Sequence, residues 1–289
     1  NGARAVGPAL AGLVFSVVGG AWNFAIAVAS TLVMMQAIRR WPPEPRPPTR
    51  LPPERLWGGM ASALRFAWHS HTVLAQLVRT MAFTATGSAL WALLPVIGQR
   101  QLDLGAAGFG LLMGCLGTGA VCAGLVIGRL RARVGLEALV TWGCVVFAAV
   151  MLITALTRSH ALIYGGLVLG GAAWMSVTST FNTATQTSVP PWVRARAVAM
   201  HTLCALGSFA VGSAVWGALS DLAGLPFALC LAAFGMACGL LLAKPFPLRM
   251  GDAQDVTQAI PWDDIFITNE PAPDAGPVAV EMGYRIQIE

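Results

Sequence analysis

Apolar residues run along this chain in eight long segments, at roughly 5–20, 22–38, 72–98, 105–127, 136–156, 160–187, 197–220 and 225–243, with polar residues gathered between them. Most of these segments reach the length of about 20 residues that a helix needs to cross the hydrocarbon core of a bilayer, and the first two, parted at Gly19-Gly20, lie at the short limit. A bilayer interior offers no water to satisfy the backbone, so such segments are predicted as helices. The fold class is therefore expected to be an all-α membrane protein.

One internal interruption is long. Within 39–71, the run WPPEPRPPTRLPPE cannot form a regular helix, because each proline removes a donor and clashes with the preceding turn. Behind it, Leu56, Met60, Leu64 and Trp68 recur at helical spacing while Arg65 and His69 face elsewhere. That pattern fits a short helix lying at the cytoplasmic interface, and equally an early start of the next span. Past Lys244 the texture changes again: residues 249–289 carry eight of the thirteen acidic residues and several prolines, as expected of a soluble cytoplasmic tail. Only 277–289 alternates in a way compatible with a strand, either docked or beginning a further domain.

Composition narrows the class. Of 289 residues 56% are hydrophobic and 11% charged, which excludes a disordered chain and an ordinary soluble enzyme. The net charge of +5 does not form the basic face that a nucleic-acid partner requires; the basic residues sit in clusters between apolar segments. With the first span starting inside, the inner loops hold fifteen Lys and Arg and the outer loops only Arg100 and Arg158. This positive-inside bias predicts an even number of spans with both ends in the cytoplasm. All six cysteines lie inside apolar segments, as small hydrophobes.

Few polar groups remain to carry chemistry inside the membrane. Arg79 follows the start of its span by a turn or two, where it either snorkels to the headgroups or, facing the bundle, pairs with an acid or attracts an anionic substrate. Thr178, Asn182 and Gln186, four apart, share one helix face and suit either interhelical hydrogen bonds or the wall of a substrate cavity. Trp91, Trp142, Trp174 and Trp216 are candidates for cavity walls or interface anchors. Glycine pairs at 110 and 114, 124 and 128, and 235 and 239 allow close helix approach. No span holds Asp or Glu away from its ends, Glu137 and Asp221 being terminal, so an ion-coupling carboxylate is expected at a span end or outside this chain. The four histidines are scattered, and neither paired catalytic carboxylates nor a nucleotide or metal motif is present; no enzyme activity, cofactor or metal is expected.

Three motifs in order resemble the major facilitator superfamily. GRLRARVG at 128–135 is similar to the G-x-L-x-D-R-x-G loop between the second and third helices of a six-helix half. Here Arg131 stands at the aspartate position and Ala132 at the usual arginine, beside Arg129 and Arg133; tight turns bounded by Gly128 and Gly135 are what the resemblance carries over. The opening RAVGPALAG, with Gly7, Pro8 and Gly12, is similar to the G-P-x-x-G-G element of the fifth helix in antiporters of the superfamily and implies a bend at the packing surface between halves. PPWVRARA, with Pro191, Arg194 and Arg196, is similar to the P-x-x-x-R-x-R/G-A loop between helices ten and eleven, and would tether that loop to the anionic inner leaflet. The texture of residues 1–244 looks most like the branch containing the enterobactin exporter and related secretion effectors.

The resemblance implies helices 5–12 of a twelve-helix bundle. Residues 1–38 are then the last two helices of the first half, 39–71 the cytoplasmic linker between halves, 72–244 the six-helix second half and 245–289 a tail that begins a soluble domain. The chain opens on Asn1 with no recognisable signal peptide, and four helices are expected ahead of it. The implied activity is secondary export of a hydrophobic or amphiphilic small molecule, of drug or siderophore type, across the bacterial cytoplasmic membrane by alternating access on a proton gradient. Arg79, Asn182, Gln186, Thr178 and Trp174 are the expected cavity residues. The alternative is a membrane scaffold, or an inactive transporter remnant, with a recruiting tail.

Overall fold

The computed structural model describes residues 14, 17–42 and 56–249. Gly7, Pro8 and Gly12, most of the first apolar segment, the proline run and the strand-like tail lie outside the described residues. Within them the helices are α1 (Gly20–Arg40), α2 (Leu56–His69), α3 (His71–Val96), α4 (Ala106–Val134), α5 (Leu136–Leu156), α6 (His160–Thr187), α7 (Pro191–Ala223) and α8 (Leu225–Gly239). All but α2, some with short extensions, are long and apolar enough to cross a membrane.

The breaks between helices have local causes. Ser70 is extended (φ −91°, ψ 101°), which separates α2 from α3, and its hydroxyl accepts the Val73 N–H at 3.4 Å as an N-cap. The segment 56–69 is thus a helix of its own rather than the first turns of the next span. α3 contains Pro95 and widens into a π-helical turn at Ile97–Gln101, where the Gln101 amide donates to the carbonyls of Thr154 (3.1 Å) and Thr157 (2.5 Å) at the end of α5. Gly135 (φ 82°) and Gly224 (φ 91°) each reverse the chain alone, a left-handed turn that a Cβ would penalise. The loop expected over 128–135 is consequently shorter than the motif suggests. Residues 128–134, with Gly128, Arg129, Arg131 and Arg133, continue α4, and the turn is made at Gly135. Likewise α7 begins at Pro191, its first-turn position suited to a residue without an N–H, and takes Arg194 and Arg196 into its opening turns.

The helices pack as two intimate pairs, α3 with α7 and α4 with α6, joined by α5 and α8, which lie against α6 and α3 respectively and against each other. Phe83, Leu90, Leu94, Phe147, Met151, Leu167 and Phe181 form the buried centre. Both seams are backbone-close. A Cβ on Gly119 would stand 1.8 Å from the Val168 carbonyl oxygen, and one on Gly171 would stand 1.8 Å from that of Leu116. On the other seam, a Cβ on Gly212 would stand 2.3 Å from the Ala85 oxygen, which also accepts the Trp216 indole N–H at 2.7 Å. The hydroxyls of Thr84 and Ser208 meet at 2.6 Å one turn away. Small residues and satisfied polar groups hold membrane helices together where apolar burial gives no advantage over lipid. α1 has no buried residue among those described.

Candidate functional site

A cavity of about 360 Å³ opens among α3, α4, α6 and α7. Its walls are Trp91 of α3, Met113, Leu116, Gly117 and Ala120 of α4, Gly171, Trp174, Met175 and Thr178 of α6, and Leu206 and Phe209 of α7. Trp174 organises it: its ring lies 5.0 Å from Phe83, 5.5 Å from Phe147, 5.6 Å from Trp91 and 6.0 Å from Phe209, the last two edge-on. The ring fits because residue 87 is glycine, where a Cβ would approach it to 2.7 Å. Thr178 spends its hydroxyl on the Trp174 carbonyl at 2.7 Å. The Trp91 indole N–H has no hydrogen-bond partner among the described residues. The lining carries no charge, so the cavity suits apolar and aromatic matter.

Arg79 is placed elsewhere. Only 4% exposed, it reaches the N-terminal turn of α5, where Nη1 donates to both Glu137 oxygens at 2.7 and 2.6 Å. Glu137 Oε1 in turn accepts the Leu248 N–H at 2.5 Å. One turn before Arg79, the Gln76 amide donates to the Ser188 hydroxyl at 2.9 Å and to the Arg249 carbonyl at 3.3 Å, and the Ser188 hydroxyl also donates to that carbonyl at 3.2 Å. The His71 ring stacks on Phe246 at 6.1 Å. Together these groups strap the chain leaving α8, residues 246–249, across the starts of α3 and α5 and the end of α6. A small pocket of about 20 Å³, room for about one water, lies between Arg79, Phe83, Thr86 and Cys144.

The remaining sequence candidates separate. Thr178 and Trp174 share the cavity wall. Asn182 and Gln186 continue the same face of α6 beyond the cavity lining, Gln186 donating to the Asn182 oxygen. Trp91 joins the cavity, Trp142 is exposed on α5, and Trp216 serves the α3–α7 seam. Arg131 reaches the Ser179 hydroxyl at 3.4 Å and so ties the end of α4 to α6, whereas Arg129, Arg133 and Arg194 are exposed. The residues that sequence reasoning missed are Gly87 and Phe209 at the cavity and Gln76 and Ser188 at the strap. Among the described residues no group of His, Cys, Asp or Glu is arranged to hold a metal ion.

Comparison with known proteins places the whole chain in one context. Residues 1–289 match a family described as transmembrane secretion effector. The enterobactin exporter EntS of Salmonella typhimurium is 28% identical over 265 residues, which are 90% of this chain and 61% of that protein. The same-named protein of Citrobacter koseri is 25% identical over 264 residues, with the same coverage of each. The chain therefore spans about three fifths of the length of these relatives.

Proposed function

Because the chain belongs to the transmembrane secretion effector family of the major facilitator superfamily and is a multi-pass membrane protein, we propose that its aromatic cavity is the second-half wall of an export path for hydrophobic or amphiphilic small molecules. The observation that carries this reading is the uncharged 360 Å³ cavity framed by Trp91, Trp174 and Phe209 on helices from both packed pairs. Its size falls in the range of about 300–1,000 Å³ usual for small-ligand sites.

In this reading the described spans belong to helices 5–12 of a twelve-helix exporter of the bacterial inner membrane, and the domain boundaries are those expected from the sequence. Rocking of the two halves about the cavity gives alternating access, and four further helices complete the path. The relatives, of which this chain covers only 61%, support that placement. A proton gradient is the proposed drive. Glu137 is engaged through both oxygens by Arg79, so the carboxylate that carries the proton is sought at Asp221, near the end of α7, or in those further helices.

Phe209 provides the test, because it is half-buried and its removal leaves the Trp174 cluster otherwise intact. Phe209→Ala is expected to weaken binding of a neutral aromatic probe, N-phenyl-1-naphthylamine, by about fivefold, matching the loss of roughly 1 kcal/mol of ring contact. Quenching of tryptophan fluorescence in detergent measures it. An unchanged Kd, or quenching that survives equally in Phe209→Ala and Trp91→Phe, would remove the cavity from the substrate path.

A further inference from the structure

Arg131 is a cation without an acid. Near the end of α4 it is half-buried, its Nη2 makes one long contact of 3.4 Å with the Ser179 hydroxyl, and its Nε is buried with no hydrogen-bond partner among the described residues. A guanidinium carries five N–H donors, and a buried donor left unpaired costs free energy. The carboxylates among the described residues do not answer it. Glu137 is held by Arg79 through both oxygens. Asp103 lies before the start of α4 and Asp221 near the end of α7, each about a span's length from the ends of α4 and α6.

Helical periodicity puts this cation on the face of α4 that walls the aromatic cavity. Ala120 lines the cavity, and Arg131 follows it by 11 residues, about three turns of an α-helix. Of the positions between them on that face, Gly124 and Gly128 present no side chain and Ile127 is buried; a Cβ at Gly128 would meet nothing within 4 Å. On α6, Met175 and Thr178 line the cavity, and Ser179 and Asn182, each four residues farther, form the next turn of the same face. A helical side chain leans toward the N-terminus of its helix, so the guanidinium comes back from the end of α4 toward the cavity. It stands at Ser179, about 6 Å along α6 from Met175. An uncharged aromatic chamber thus has one cation just past its rim, on the side that the charge bias assigns to the cytoplasm.

We propose that Arg131 determines specificity in the export path, taking the anionic group of an amphiphilic substrate whose aromatic or apolar body fills the cavity. The inference rests on the reading of the cavity as part of that path. A carboxylate or sulfonate oxygen on the guanidinium gives Nε the acceptor it lacks, and planar pairing through two N–H groups favours such anions over neutral heads. The Ser179 contact leaves room for this, since it uses one donor of five. A cationic amphiphile meets repulsion at the same point.

N-phenyl-1-naphthylamine and 8-anilino-1-naphthalenesulfonate share one aromatic skeleton and differ by a sulfonate. Their dissociation constants, measured by quenching of tryptophan fluorescence on the full chain in detergent, therefore separate the cavity from the cation. The sulfonate is expected to displace the neutral probe competitively. Arg131→Gln is expected to raise the Kd of the sulfonate about tenfold, equivalent to about 1.4 kcal/mol, and to leave that of the neutral probe within about twofold of the parent. Arg131→Lys keeps the charge but loses the planar fork, and is expected to cost the sulfonate about threefold. Arg129→Gln, at an exposed position, is expected to change neither. Phe209→Ala is expected to weaken both probes alike, about fivefold. If both probes respond to Phe209→Ala and the sulfonate ignores Arg131→Gln, the cavity stands and the assignment of Arg131 falls. If neither responds to Phe209→Ala, the cavity reading falls and the assignment with it. Equal loss of both probes in Arg131→Gln and in Arg131→Lys, or a sulfonate that binds without displacing the neutral probe, would also overturn the proposal.

Discussion

Glu137→Ala is expected to lower the stability of the folded chain by about 3 kcal/mol, near the lower end of the range of about 3–5 kcal/mol for breaking a buried ion pair by removing one partner. The cost arises at Arg79, whose side chain is 3% exposed and which keeps only a 3.5 Å contact with the Phe246 carbonyl once the carboxylate is gone. Glu137 itself is 39% exposed, so water reaches the vacated position and holds the penalty to the lower end. The double variant Arg79→Met with Glu137→Ala is expected to recover most of the loss, because the uncompensated charge disappears with its partner. Urea unfolding of the four proteins in detergent closes the cycle. The strap supplies a second readout. Leu248 loses the acceptor of its N–H, so hydrogen exchange at residues 246–249 is expected to accelerate in Glu137→Ala. A single variant within 0.5 kcal/mol of the parent, with unchanged exchange at Leu248, would mean that the pair fastens nothing.

This pair shows where sequence reasoning stops. Arg79 was legible as an exceptional residue because a guanidinium inside an apolar run has few stable solutions, and pairing with an acid was one of them. Its partner was not legible: 58 residues separate Arg79 from Glu137, and 173 separate Gln76 from Arg249. Spans are decided locally, by hydropathy and length, so the segments at 72–98, 136–156 and 160–187 match the helices closely. Their ends are decided by tertiary packing and by turn geometry, which is why 128–134 continues α4 although its motif reads as a loop. At the cavity, Thr178 was recognisable by its helical spacing with Asn182 and Gln186, and Trp174 as an aromatic residue inside a span. Asn182 and Gln186 share that spacing yet satisfy each other farther along α6, since a common face does not fix how far a cavity extends along it.

The glycines carry the same lesson into the last and most severe variant, Gly171→Ala. Spacing of four singled out pairs such as Gly124 and Gly128, yet a Cβ at Gly128 would meet nothing within 4 Å. The decisive approaches are Gly119 against the Val168 backbone and Gly171 against the Leu116 backbone, which no local pattern marks, because spacing shows only that two glycines share a face and not which face meets a neighbour. At Gly171 the new methyl group would stand 1.8 Å from the Leu116 oxygen and 2.9 Å from its Cα. Backbone cannot step aside as a side chain can, so α4 and α6 must part by roughly 1 Å or more along a seam with no flexible atoms to yield. Overpacking typically costs about 1–3 kcal/mol, and a rigid helix pair places this variant at or above the top of that range. The separation also falls on the cavity, since Leu116, Gly117, Ala120 and Gly171 form its α4–α6 wall. Gly171→Ala is therefore expected to lower the thermal midpoint and the yield of monodisperse protein together, and to weaken N-phenyl-1-naphthylamine binding in whatever fraction stays folded. Gly128→Ala, an exposed position in the same bundle, is expected to melt at or slightly above the parent, since alanine is the better helix former. If both alanine variants melted alike, the close α4–α6 seam, and with it the present shape of the cavity, would have to be given up.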